Sequence, residues 1–133
     1  MNFTIESNGG VAARARIGNH ELVFDQAPPY GADTGPSPLD VMVVSVAACA
    51  HYYAAAFLSA RKLSTDGLRV SVEAEKAKEG RRRLAEIKIH VELPASLPAE
   101  MLPRVEAAVL SCPAWGTLQE LPRTEMKISR AGG

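Results

Sequence analysis

Cys49 closes the apolar stretch Val41–Cys49 (VMVVSVAAC) and Cys112 stands directly before a proline in Ser111-Cys112-Pro113; they are the only two cysteines of the chain. Thiols can attack electrophiles, condense to a disulfide, or simply fill space. A thiol in apolar surroundings is usually inert packing. One at a helix N-terminus faces unpaired backbone N–H groups and the positive end of the helix dipole, which favour the reactive thiolate. Cys49 lies in mid-helix by the pattern around it, so it needs a cation or a donor to ionise, whereas Cys112 is placed to ionise by its position alone. The residues leave two readings open, a coupled redox pair or two unrelated structural cysteines.

No other constellation competes with the thiols. His20, His51 and His90 fall at wide intervals with no pair at metal-ligand spacing, so no metal is expected. His51, two residues from Cys49, points elsewhere on the helix and is not a direct base within one chain. It either lines a pocket across a subunit interface or is a core histidine. No glycine pattern cradles a phosphate, and Trp115, Tyr52 and Tyr53 read as pocket or core aromatics rather than platforms for bases.

The chain has 133 residues, enough for the single domain 1–133 that we expect. Its 15 basic and 15 acidic residues cancel, which removes the electrostatic case for nucleic acid or an anionic membrane as partner. The N-terminus MNFTIESNGG lacks a basic region followed by an apolar core, and the run Val41–Ala50 is too short to span a bilayer. A cytoplasmic protein is expected, and in that reducing compartment a lone cysteine pair is more often catalytic or unpaired than a staple.

Positioning these thiols requires regular elements. Phe3–Ile5, Val11–Ile17 and Glu21–Phe24 read as short strands of a meander, followed by an irregular loop over Ala27–Pro38. Ser37 then reads as an N-cap, Pro38 as the first helical residue, and Asp40 as the partner in a capping box. Apolar residues at helical spacing carry that helix to about Lys62, and between Val41 and Ala50 they occupy nearly every face. One small sheet cannot cover such a helix, which argues for a partner subunit. Alternation over Leu68–Ala74 and Leu84–Leu93 predicts a hairpin whose charged end, Lys76–Arg83, reads as solvated. A Ser96-capped helix over Pro98–Leu110, complicated by Pro103, a short helix from Cys112-Pro113 to about Gln119, and a closing strand Glu125–Ser129 complete the reading.

The stretch GADTGPSPLDVMVVSVAACA, the helix leading into paired strands, and SCPAWGTL together resemble the OsmC/Ohr family of thiol peroxidases over Gly9–Ile128. The resemblance implies an α+β, OsmC-like fold with antiparallel sheets around a long central helix, two chains interlaced as a homodimer, and active sites at their interface. It also implies reduction of organic hydroperoxides by a cysteine pair that dithiols, lipoyl groups among them, recycle without a bound cofactor. Two positions depart from the Ohr and OsmC branches, where an arginine after a Gly-Gly and a glutamate after the helix-opening proline hold the thiolate. Here these are Val11 and Leu39. Asp40 matches the acidic position of a third branch and either supports the thiolate or only caps the helix, a residue one step on pointing about 100° away. Arg14 or Arg16 either replaces the missing arginine or belongs to an exposed strand face.

The expected function is therefore a thiol peroxidase in which the Cys49 thiolate attacks a hydroperoxide, Cys112 resolves the sulfenic acid, and the pocket formed with Tyr53 and Trp115 favours hydrocarbon tails. The alternative is a small-molecule-binding or redox-sensing dimer with the same fold and little turnover, which the departures at Val11 and Leu39 favour.

Overall fold

The computed structural model describes residues 1–132. Strands β1 (Ile5–Ser7), β2 (Ala13–Ile17) and β3 (His20–Phe24) form an antiparallel sheet in that order. Ser7 pairs with Ala13 across a turn that the Asn8 N–H closes on the Ala12 carbonyl at 2.9 Å. That turn sets the register, and so β1 lies two residues later than its composition alone suggests. Strand alternation buries Ala15 and leaves Arg14 and Arg16 exposed.

The proline-rich loop is anchored by Asp25, which is only 3% exposed. Its carboxylate accepts from the Gln26 N–H at 2.8 Å, the Thr34 N–H at 3.0 Å and the Thr34 hydroxyl at 2.7 Å. These bonds, the Thr34 hydroxyl first, hold its pKa down at about 2. A side chain at Gly31 would collide with the Asp25 carboxylate and the Gln26 backbone, so the loop can close over the aspartate only with glycine there.

Helix α1 (Pro38–Ala60) is 23 residues, a rod of about 35 Å. Ser37 Oγ accepts from the Asp40 N–H at 3.2 Å, so the predicted cap forms. The returning half of the capping box does not, since among the described residues the Asp40 carboxylate makes no hydrogen bond. The helix stops where Lys62 turns left-handed (φ 57°) and the Leu63 N–H reaches back to the Leu58 carbonyl at 2.9 Å. Val43, Val46, Ala47, Ala50, Ala54 and Leu58 form its buried stripe. The other side of the helix stays open in the single chain, with Met42 at 47%, Val44 at 59% and Tyr52 at 63% exposure. Taken over its whole length rather than over Val41–Ala50, α1 is long and apolar enough to cross a membrane, a test that the central helix of a water-soluble protein also meets.

Strands β4 (Arg69–Lys76) and β5 (Leu84–Glu92) form the expected hairpin, closed by Ala77 N–H to Arg83 carbonyl at 2.9 Å around Gly80, whose φ of +75° suits glycine. The predicted helix Pro98–Leu110 is instead a 3-10 turn, Ala99–Met101, followed by α2 (Leu102–Leu110). Pro103 lacks the N–H that a continuous helix would use, so the helix restarts with the proline in its first turn. Ser96 caps neither piece: Pro98 precedes the 3-10 turn without a side-chain bond. Helix α3 (Pro113–Gln119) begins after Cys112 as expected. The expected closing strand Glu125–Ser129 is not formed; the segment is unpaired, with Met126 at 88% and Ile128 at 89% exposure. Alternation makes a strand only beside an edge that receives it, and none pairs with this segment within the chain.

The architecture is α+β. It comprises two compact units, Met1–Ala47 with Ser71–His90, and Ala48–Val70 with the chain from Val91 onward. The first buries Ala12, Ala15, Val43 and Val46, and the second Ala54, Leu58, Val105 and Cys112.

Candidate thiol site

Both cysteines belong to the second unit, and both are free thiols. Cys49 sits midway along α1 and is partly exposed; Cys112 is 1% exposed at the junction of α2 and α3. The junction explains its placement. The Cys112 N–H still bonds to the Val109 carbonyl at 3.1 Å, while its own carbonyl receives the Gly116 N–H at 2.9 Å, so the residue ends one helix and begins the next.

The fold brings the two thiols close enough for Cys112 to raise the pKa of Cys49. A third group lies near them, the backbone N–H of Ala114, which favours the Cys49 thiolate. Cys112 is the N-cap of α3, yet its side chain makes no capping bond. The N–H of Ala114, in the first turn, is thereby left without a partner in α3. Sequence reasoning missed this donor, although its signal was available: the second residue after an N-cap has no partner for its N–H within its own helix turns, and a cysteine cap is a poor acceptor for it.

Burial pushes the Cys49 thiol above its ordinary pKa, and Cys112 pushes it the same way. The Ala114 N–H alone opposes them. The environment therefore favours a protonated Cys49 held next to a second sulfur and one donor. That is suited to thiol–disulfide chemistry and poorly suited to a fast thiolate.

The other candidates are distributed as follows. His51 is exposed on α1 and is not a core histidine in this chain. Tyr53 is half-buried and meets Tyr52 edge to face at 5.3 Å between ring centres, and Trp115 is half-buried on α3 three residues after Cys112. Asp40 is exposed in the first turn of α1. Arg14 and Arg16 are exposed on β2, and the Arg14 guanidinium lies 3.4 Å from the Glu6 carboxylate. Among the described residues, no group of three or more His, Cys, Asp or Glu could hold a metal ion.

No curated protein matches the chain. Its fold matches an OsmC-like protein from Mycoplasma pneumoniae with a TM-score of 0.74 at 22% identity, covering 90% of this chain and 87% of that one. A protein from Psychrobacter arcticus assigned to the osmotic-stress and detoxification response matches with a TM-score of 0.73 at 19% identity, over 88% and 87% of the two chains. An organic hydroperoxide resistance protein OsmC from Legionella pneumophila, described as a predicted redox protein, matches with a TM-score of 0.62 at 14% identity, over 90% and 88%. The OsmC-like protein family matches residues 31–127, from the anchored loop through both cysteines and past α3. With the fold and that match in agreement, the chain belongs to the OsmC-like family.

Proposed function

We propose that the chain is a cysteine-based reductase of organic hydroperoxides with a role in oxidative stress. The observation that carries this reading is the nearness of Cys112 and of the Ala114 N–H to the Cys49 thiol, whose pKa both of them shift. Cys49 attacks the distal oxygen of the hydroperoxide; the O–O bond breaks, the alcohol leaves with a proton, and Cys49 becomes a sulfenic acid. The Cys112 thiol displaces water from that sulfur and forms the disulfide, and an external dithiol, of lipoyl type, exchanges with it to restore both thiols and is itself oxidised. Membership in the family and the likeness to the Legionella protein support this assignment. No bound cofactor takes part.

The protein acts in the cytoplasm as one OsmC-like domain and as a homodimer. Support for the dimer comes from the open side of α1, where Met42, Val44 and Tyr52 are 47%, 59% and 63% exposed, and from the unpaired Met126 and Ile128. A second copy covering these side chains would also place Tyr53, Trp115 and His51 around a hydrocarbon-lined pocket. The raised pKa of Cys49 favours a second reading, a redox-sensing or small-molecule-binding dimer that turns over slowly. Stopped-flow oxidation by cumene hydroperoxide decides between them: consumption over many cycles with dithiol supports the reductase, and a single slow oxidation supports the sensor.

A further inference from the structure

The end of the β4–β5 hairpin carries more than a solvated charge run. Lys76, Ala77, Arg82 and Arg83 line one concavity with Leu39 of the first turn of α1. Three cations thus converge on one hollow whose lining contains no acid. Among the described residues none of the three is in an ion pair; the ion pairs are Arg14 with Glu6 and Lys88 with Glu86. Arg83, exposed at the start of β5, donates from its guanidinium to the Leu84 carbonyl at 3.1 Å. Converging like charges repel, and an anion seated among them relieves that repulsion. The first turn of α1 contributes both its positive helix end and the exposed Asp40 carboxylate next to Leu39, so the attraction for an anion rests on the three side-chain cations. Leu39, 37% exposed, and Ala77 supply an apolar wall beside the cations.

We infer that this concavity binds an amphipathic monoanion, a carboxylate on a short hydrocarbon chain. Lys76, Arg82 and Arg83 hold the head group, and Leu39 and Ala77 receive the first methylenes. An arginine fork suits a carboxylate, and the apolar wall gives a tailed acid an advantage over a bare ion. The site is independent of the thiols and goes beyond the peroxide chemistry proposed above.

The test titrates the intact reduced protein with octanoate at low ionic strength and follows backbone amide shifts, with octanol and inorganic phosphate in parallel. Saturable shifts at Leu39, Lys76, Ala77 and Arg82 are expected with octanoate, with weaker effects from the other two. The double substitution Arg82→Gln with Arg83→Gln is expected to weaken octanoate about tenfold, as loss of two exposed charge contacts would. Leu39→Glu places a negative charge in the hollow and is expected to weaken it similarly. Folding of each variant is checked by its amide spectrum, and loss of wild-type binding at high salt gives the same information without mutation. The inference is overturned if octanoate gives no saturable shift, if octanol or phosphate binds as well, or if the substitutions leave octanoate binding unchanged.

Discussion

Cys112 opens helix α3 without using its sulfur as a cap, and its side chain instead lies beside Cys49 of α1 and raises the pKa of that thiol. The relationship makes the two residues one chemical unit. Burial first and Cys112 second raise the Cys49 pKa, so the two thiols titrate with reference to each other.

The first expectation is a pH profile. Peroxide reacts with the thiolate, and the Cys49 pKa is raised by burial and then by Cys112. The rate of Cys49 oxidation should climb with pH and reach no plateau below about pH 8.5, the ordinary thiol value. A plateau near neutrality in stopped-flow traces would show that a cation lowers the pKa. In that case Arg14→Ala and Arg16→Ala, measured in parallel, identify the source.

Cys112→Ser should lower the Cys49 pKa, because a hydroxyl donates to the thiolate and carries no competing charge. Iodoacetamide alkylation against pH reads the shift. The same variant should complete one oxidation and stop at the sulfenic acid, whereas Cys49→Ser should consume no peroxide.

Asp25 has a pKa depressed from 3.8 to about 2 by the Thr34 and Gln26 donors. A depressed carboxylate stabilises the fold above its unfolded pKa and loses that contribution as pH falls. Wild type should therefore lose stability between about pH 4 and pH 2, as the shift of Asp25 sets it. Asp25→Asn should unfold at a lower temperature at neutral pH and lack this acid component in thermal melts.

The two sides of α1 should respond differently to charge. Val46 is 6% exposed, so Val46→Asp buries an unpaired carboxylate and should cost about 3 kcal/mol or more, with fold and dimer lost together. Met42→Glu changes a side chain that is 47% exposed and should keep the fold while shifting dimer toward monomer in light scattering. An unchanged oligomer in Met42→Glu would remove the open side of α1 from the interface. Asp40→Asn should cost about 1 kcal/mol or less if the residue serves only in the cap.

Local signals carried much of this fold. Ser37 and Pro38 mark the start of α1, Cys112-Pro113 the start of α3, and alternation the hairpin, each through bonds made within a few residues. Elements that depend on distant partners were less legible. The segment Glu125–Ser129 has a strand's alternation but no neighbour within the chain, and α1, apolar nearly all round, is buried along only one stripe. Asp25 carries no local pattern: its role depends on Thr34 folding back onto it from nine residues away. The thiols could be read as nucleophiles from their types. Their nearness, and the Ala114 N–H beside them, depended on bringing α3 against α1.

The most direct measurement is mass spectrometry of the reduced protein after one equivalent of cumene hydroperoxide, with rapid alkylation of free thiols. An intrachain Cys49–Cys112 disulfide is expected in wild type and a Cys49 sulfenic acid in Cys112→Ser. Both thiols alkylated in wild type, or a disulfide only between chains, would contradict this pairing.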